Sequence, residues 1–197
     1  MGGGEIGNIR RILLAAISLV ALCGQAGDAG WAGGRSDELN RASRECSLEA
    51  GEPRERIRAC STLIAVPKLP RNLLASALLN RARHYRNAQD PAAASRDFDE
   101  AVKVAPRFAP AYLARGTFRL DRGETAAALE DYDTSIRLEA TAGAYLNRAL
   151  ARERLGDSAR AVEDLSKAIA LDPNDARVLA RRGQLFVVLR DYDRAIR

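Results

Sequence analysis

AYLNRALARERLGDSARAVEDLSKAIALDP, residues 144–173, decides the architecture of this chain. Its apolar residues recur at helical spacing on either side of Gly156-Asp157, so it reads as a helix, a tight turn and a second helix. Two upstream stretches match it closely. They are LLNRARHYRNAQDPAAASRDFDEAVKVAP from Leu78 and AYLARGTFRLDRGETAAALEDYDTSIRLEA from Ala111. A fourth copy opens at Ala176. Counted from Ala75, Ala109, Ala142 and Ala176, the spacings are 34, 33 and 34 residues. A fixed period of this length marks stacked supersecondary units that share one core.

The copies agree position by position. With each starting alanine as position 1, position 4 is large: Leu78, Tyr112, Tyr145 and Leu179. Position 8 is small: Ala82, Gly116, Ala149 and Gly183. Position 20 is Ala94, Ala128, Ala161 and Ala195, and position 24 is Phe98, Tyr132 and Leu165. Position 27 is Ala101, Ser135 and Ala168, and position 32 is Pro106, Ala140 and Pro173, with one residue deleted around Ala140. Small residues let helix backbones approach, and bulky ones fill the space between them. The turns carry matching signals: Asp90-Pro91 as N-cap and first helical residue, Gly123 and Gly156 as helix stops, and Asp172-Pro173-Asn174-Asp175 as stop and cap.

This pattern resembles the tetratricopeptide repeat family. The resemblance implies an all-α fold, an α-α superhelix of antiparallel helix pairs. It divides the chain into repeats at 75–108, 109–141 and 142–175 and an incomplete one at 176–197, behind a degenerate helical pair at 37–70. In that pair Arg44 and Arg56 stand where the family has small residues, so it reads as an N-terminal cap. The last repeat stops in mid second helix at Arg197, as expected for a truncated product or a fragment of a longer protein.

Two charged positions repeat as faithfully as the packing ones. Position 7 is Arg81, Arg115, Arg148 and Arg182; position 23 is Asp97, Asp131 and Asp164. They lie at similar heights on antiparallel helices, which predicts a ladder of Arg–Asp pairs. Read as surface pairs they are worth only ~0–1 kcal/mol each and set register more than stability.

In the family, first helices line a concave groove and contact peptides through positions 2, 5, 6, 9, 12 and 13. Carried over, the resemblance implies Asn80, Arg83, Arg86, Thr117, Asn147, Glu153, Arg177, Arg181 and Gln184 as the protein-binding groove. Asn147, Arg177 and Arg181 match part of the carboxylate clamp of some chaperone-binding members. Leu113 and Thr117 depart from it. The implied partner is a protein or peptide, acidic or mixed, in a partly basic groove.

The N-terminus reads as a targeting segment. Arg10-Arg11 precede an apolar run from Ile12 to Cys23, then Gly24-Gln25-Ala26. That is the order of a secretory signal, with cleavage after Ala26, or alternatively Ala29. Twelve helical residues span roughly 18 Å against a bilayer core of about 30 Å, so no stable membrane anchor remains once the signal is removed. A lipidated Cys23 is the competing reading. Residues 27–36, GDAGWAGGRS, read as a flexible linker. Export implies a periplasmic or secreted protein in an oxidising compartment. Cys46 and Cys60 would then be the two cysteines of the mature chain, as a disulfide or as two buried thiols.

Nothing in the sequence points to catalysis, a cofactor or a metal. The lone His84 lies among Arg81, Arg83 and Arg86, has no nucleophile motif nearby, and reads as a surface or groove residue. Glycine-rich phosphate loops and dinucleotide fingerprints are absent, and two cysteines without a nearby histidine make a poor metal site. The net charge of +5 comes from arginines interleaved with acids, without the aromatic platform of a nucleic-acid surface. The expected function is an exported scaffold or adaptor that binds protein partners and is not an enzyme. The alternative is the repeat portion of a larger envelope enzyme or assembly factor.

Overall fold

The computed structural model describes residues 29–48 and 51–195, and the side chains of 36–48 and 51–195. The signal-like segment lies outside the described residues. The described residues form ten helices and no strand. The cap pair is α1 (Ala29–Ser47) and α2 (Pro53–Ile64). The repeats follow as α3 (Arg71–Asn87) with α4 (Pro91–Val104), α5 (Ala109–Asp121) with α6 (Thr125–Leu138), and α7 (Ala142–Arg154) with α8 (Ser158–Leu171). Then come α9 (Ala176–Val188) and the short α10 (Tyr192–Ala195). Each helix packs on its hairpin partner and on the next helix in sequence. First helices also touch one another, α1 on α3, α3 on α5 and α5 on α7, and so form one continuous layer.

The repeat positions become the core. Ala82, Ala94, Ala101, Ala128, Ala149, Ala161 and Ala168 are completely buried, with Phe98, Tyr132 and Leu165 packed among them. Gly116 shows how tight the approach is. A Cβ there would stand 2.8 Å from Cε1 of Tyr132 and 3.1 Å from Cβ of Asp131. The largest position-24 side chain therefore faces the smallest possible position-8 residue, as close packing requires. Ser135 replaces alanine at position 27 without an unsatisfied hydroxyl, because its Oγ donates to the Ala109 carbonyl at 3.1 Å.

The turns share a device that the sequence displays only in part. Position 15 has positive φ in all four copies: Gln89 (61°), Gly123 (81°), Gly156 (78°) and Arg190 (59°). Two glycines announce it; Gln89 and Arg190 adopt the same conformation at a cost of roughly 1–2 kcal/mol each. Helices α4 and α8 are capped from the turn that precedes them: Oδ1 of Asp90 accepts from the Ala93 amide at 2.9 Å, and Asp157 Oδ1 from Arg160 at 3.2 Å. In the connection between repeats, Thr141 Oγ1 caps α7 by accepting from Ala144 at 3.2 Å.

The N-terminal region differs from the sequence expectation in two ways. Helix α1 starts at Ala29, so 29–36 are helical, where the glycines suggested a flexible linker. Once a helix is nucleated over 37–47, each added residue gains a hydrogen bond, which offsets the roughly 1 kcal/mol cost of each glycine. His84 is buried rather than on the surface or in the groove, because α1 lies across α3 and covers it. Its Nε2 lies 3.0 Å from the Cys46 carbonyl oxygen.

Cys46 and Cys60 are fully buried with sulfurs at bonding distance and Cα atoms 4.7 Å apart. They join α1 to α2 amid Ala42, Ala59 and Leu63. The bond closes a loop of about 15 residues, worth roughly 3 kcal/mol in the chain-entropy model. Unreduced protein is expected to weigh two hydrogens less than the reduced form. Reduction should lower the urea midpoint of α1–α2 before that of the repeats. Two free thiols in oxidised preparations would contradict the linkage.

Candidate functional site

The Arg–Asp ladder forms, and it runs further than the sequence suggested. Within each of the three complete repeats, position 7 grips position 23 through two parallel hydrogen bonds. Arg81 donates to Asp97 at 2.7 and 2.8 Å, Arg115 to Asp131 at 3.0 and 2.7 Å, and Arg148 to Asp164 at 2.8 and 2.7 Å. The remaining Nη1 reaches back to the preceding unit: Arg115 to Asp99 at 3.0 Å and Arg148 to Asp133 at 2.6 Å. Arg81 does the same to Ser61 Oγ of the cap pair at 3.0 Å, so the degenerate unit joins the ladder. Asp99 and Asp133 both stand at position 25, a repetition visible in the sequence. A second arginine braces two of the rungs, Arg119 on Asp131 at 2.9 Å and Arg152 on Asp164 at 2.8 Å.

The energetic expectation for these pairs needs correction. The side chain of Asp164 is 0% exposed, that of Asp131 4% and that of Asp97 9%. These are buried carboxylates, so the low value of surface pairs does not apply. Hydrogen bonding to Asp164, outweighing the cost of burial, raises the Arg148 guanidinium above its ordinary pKa. The ladder is a structural seam between first and second helices, and its members are committed to one another.

The implied groove residues separate into three groups. Thr117, Asn147, Glu153 and Arg181 line one open hollow of about 380 Å³, together with Leu120, Asp121, Leu150, Arg154 and Tyr132. All but Tyr132 lie on α5, α7 and α9. Asn80, Arg83 and Arg86 stand on α3, with Arg83 donating to Asn80 at 3.2 Å and Arg86 to Asp121 at 3.3 Å. Arg177 is occupied at its own helix start, gripping the N-cap Asp175 at 3.0 and 2.8 Å, and Gln184 is exposed on α9. Leu120, Asp121, Leu150 and Arg154 fall at positions 9, 12 and 13, which are among the family's groove positions. A choice restricted to some of the polar residues at those positions leaves them out.

Within the hollow the polar groups are already engaged. Asn147 Nδ2 donates to Thr117 Oγ1 at 3.2 Å, and that hydroxyl donates to the Leu113 carbonyl at 2.9 Å. Arg181 clasps Glu153 through two bonds of 2.9 and 2.6 Å, tying α9 to α7. Arg154 donates to the backbone carbonyl of Leu120. Burial pushes the Tyr132 phenol up to about 12, with the Asp121 charge adding to it and the Thr117 contact and Arg154 opposing. At neutral pH it is an uncharged wall. Among the described residues no group of three His, Cys, Asp or Glu is placed to hold a metal ion, and no helix is long and apolar enough to cross a membrane.

Two tetratricopeptide repeat family profiles match the sequence, over residues 79–145 and 142–175. Residues 79–175 are tetratricopeptide repeats. No curated protein matches the sequence. Several solved structures share the fold. MamA (residues 41 to the end) from Desulfovibrio magneticus RS-1 superposes with a TM-score of 0.66 at 22% identity, covering 81% of this chain and 90% of that one. PilF from Pseudomonas aeruginosa gives 0.72 at 18% identity, covering 82% and 73%. The first tetratricopeptide domain of Spaghetti (RPAP3), solved with the HSP90 peptide SRMEEVD, gives 0.58 at 18% identity, covering 60% and 95%. Proteins of this repeat family are in general non-enzymatic scaffolds for protein–protein interaction.

Two outcomes test this geometry. Arg148→Ala strands Asp164 in the core with only Arg152, and should cost about 3 kcal/mol. A double-mutant cycle with Asp164→Ala should return a coupling of at least about 1 kcal/mol by urea denaturation; zero coupling would dismiss the rung as incidental. Tyr132 titrates at about 12 in the folded chain, against about 10 when unfolded. Its folded pKa is raised, so its stabilising contribution is complete below pH ~10 and is lost as pH climbs through ~12. Tyr132→Phe should flatten that alkaline slope, and absorbance at the phenolate band should show a late-ionising tyrosine.

Proposed function

We propose that this chain is an exported scaffold, periplasmic or secreted, that presents the groove lined by its first helices to a protein partner. The observation that carries the reading is the clustering of Thr117, Asn147, Glu153 and Arg181 around one hollow on α5, α7 and α9. Helices α5 and α7 belong to one continuous layer, and the Arg181–Glu153 pair ties α9 to it, so a bound segment runs across several repeats and draws specificity from each. The export element rests on Arg10-Arg11, the apolar run 12–23 and Gly24-Gln25-Ala26, and the disulfide between α1 and α2 suits an oxidising compartment. The partner-binding element rests on the repeat family, in which such layers receive peptides. The chain itself catalyses nothing in this reading: its best-placed carboxylates are bound by arginines, and its one histidine is engaged in the cap interface.

Arg177→Glu with Arg181→Glu reverses charge on the α9 side of the groove without touching the ladder. Crosslinking capture of the partner from the exporting cell should fall roughly tenfold or more, while the helical circular-dichroism signal is retained. Capture at the wild-type level would move recognition to the opposite face. N-terminal sequencing of the protein recovered outside the cytoplasm should begin at Gly27. Recovery of the intact N-terminus from the cytoplasm would end the export element.

A further inference from the structure

We propose that two copies of this chain associate through the edge of the stack that carries the fourth turn, with Leu189 and Tyr192 at the centre of the contact and Arg190 of each copy paired with Asp193 of the other. This surface lies outside the hollow and leaves the groove open to a partner protein. The turns between first and second helices share one edge of the array. Positions 13 and 14 are exposed in every copy, so they face solvent wherever the turn recurs. The first two turns place Asn87-Ala88 and Asp121-Arg122 there, and the fourth places Val188-Leu189. Position 17 changes in the same way, from Pro91, Thr125 and Ser158 to Tyr192. Val188 is 67% exposed, Leu189 43% and Tyr192 61%, and Leu155 at position 14 of the third turn is 58% exposed. Large apolar side chains gathered on one exposed edge, at positions that the fold does not cover, mark a contact surface.

The charges around this surface select its occupant. Arg160 is held by Asp157 and Arg194 by Asp191, and Arg154 is directed to the Leu120 carbonyl. Arg190 and Asp193 are both exposed, and neither has an ion pair among the described residues. An anionic bilayer draws on a surplus of positive charge, and this edge is nearly neutral. An isologous contact instead needs one patch that complements itself. A twofold axis passing between Arg190 and Asp193 meets that need. It brings each against its opposite in the second copy and lays Leu189 and Tyr192 on their counterparts. The turn is already fixed in shape, since the Asp191 carboxylate accepts from the Arg194 amide at 3.2 Å and from its Nε at 2.6 Å, so little ordering is left to the encounter. With an apolar centre of few side chains, the contact belongs at the small, reversible end of protein interfaces.

Sedimentation velocity on the full chain across about 5–500 µM should show a monomer passing reversibly to a dimer. Leu189→Glu should leave a monomer throughout, with the helical circular-dichroism signal retained. Arg190→Asp and Asp193→Arg should each weaken association by roughly tenfold or more through like-charge contacts. An equimolar mixture of those two variants should associate again, because each presents the sign that the other needs, and so should the variant carrying both changes. A monomer at every concentration overturns the proposal, as does dimerisation that survives Leu189→Glu or a mixture that behaves like its components. A monomeric wild type that sediments with vesicles of phosphatidylglycerol and phosphatidylcholine, and ceases to do so in Leu189→Glu, gives the edge to an anionic bilayer instead.

Discussion

A carboxylate that is sealed between two helices has to be met by a cation, and that constraint organises this molecule. Asp164 has no exposed side-chain surface, and two arginines, Arg148 and Arg152, converge on it. The same holds for Asp131 with Arg115 and Arg119. Removing charges from water costs several kcal/mol per ion, and only near-ideal geometry recovers it. The fork of the guanidinium supplies that geometry at one rotation and height of the first helix against the second. Alanine and glycine at the contact positions permit close approach at many registers; the ladder selects one.

The ladder also links repeat to repeat. The nitrogen of Arg115 left over from Asp131 binds Asp99, and that of Arg148 binds Asp133. Each arginine thus fixes both its own hairpin and the angle to the preceding one. The cap pair enters by the same route, with Ser61 where the regular repeats have aspartate. The disulfide and the contact of His84 with the Cys46 carbonyl secure that pair to the first repeat. At the other end Ser166 occupies position 25 and bonds the Val162 carbonyl in its own helix. There the connection between units passes to the Arg181–Glu153 clasp, on the hollow side. Where the structural seam changes its rung, a charged pair enters the groove.

Much of the fold was legible because a repeat restates its rules. Position 8, 20, 24 and 27 residues are small or large for packing reasons that act within a few residues of each helix contact, and their recurrence in three or four copies separates that signal from accident. The ladder was legible for the same reason, through arginine at position 7 and aspartate at position 23. Its burial was not, since exposure depends on the neighbouring helices that close over Asp164. His84 misled for the same cause. A histidine among arginines on a regular helix looks solvated until α1 is laid across it. Of the linker expected at 27–36, residues 29–36 are helical because glycine content describes a local preference, whereas helix extension depends on the segment that follows.

The sequence by itself determined the period, the helix pairs and the pairing of positions 7 and 23, because each is set by residues close in the chain or repeated along it. The tertiary structure alone decided which groove residues meet. Arg177 and Arg181 are four residues apart on one helix, yet Arg177 turns to its own N-cap while Arg181 reaches across to Glu153. Leu120, Leu150 and Arg154 join Arg181 and Glu153 because the stacking of successive hairpins brings α5, α7 and α9 around one space. Stacking geometry is the sum of small rotations between repeats, and no single stretch of sequence encodes it.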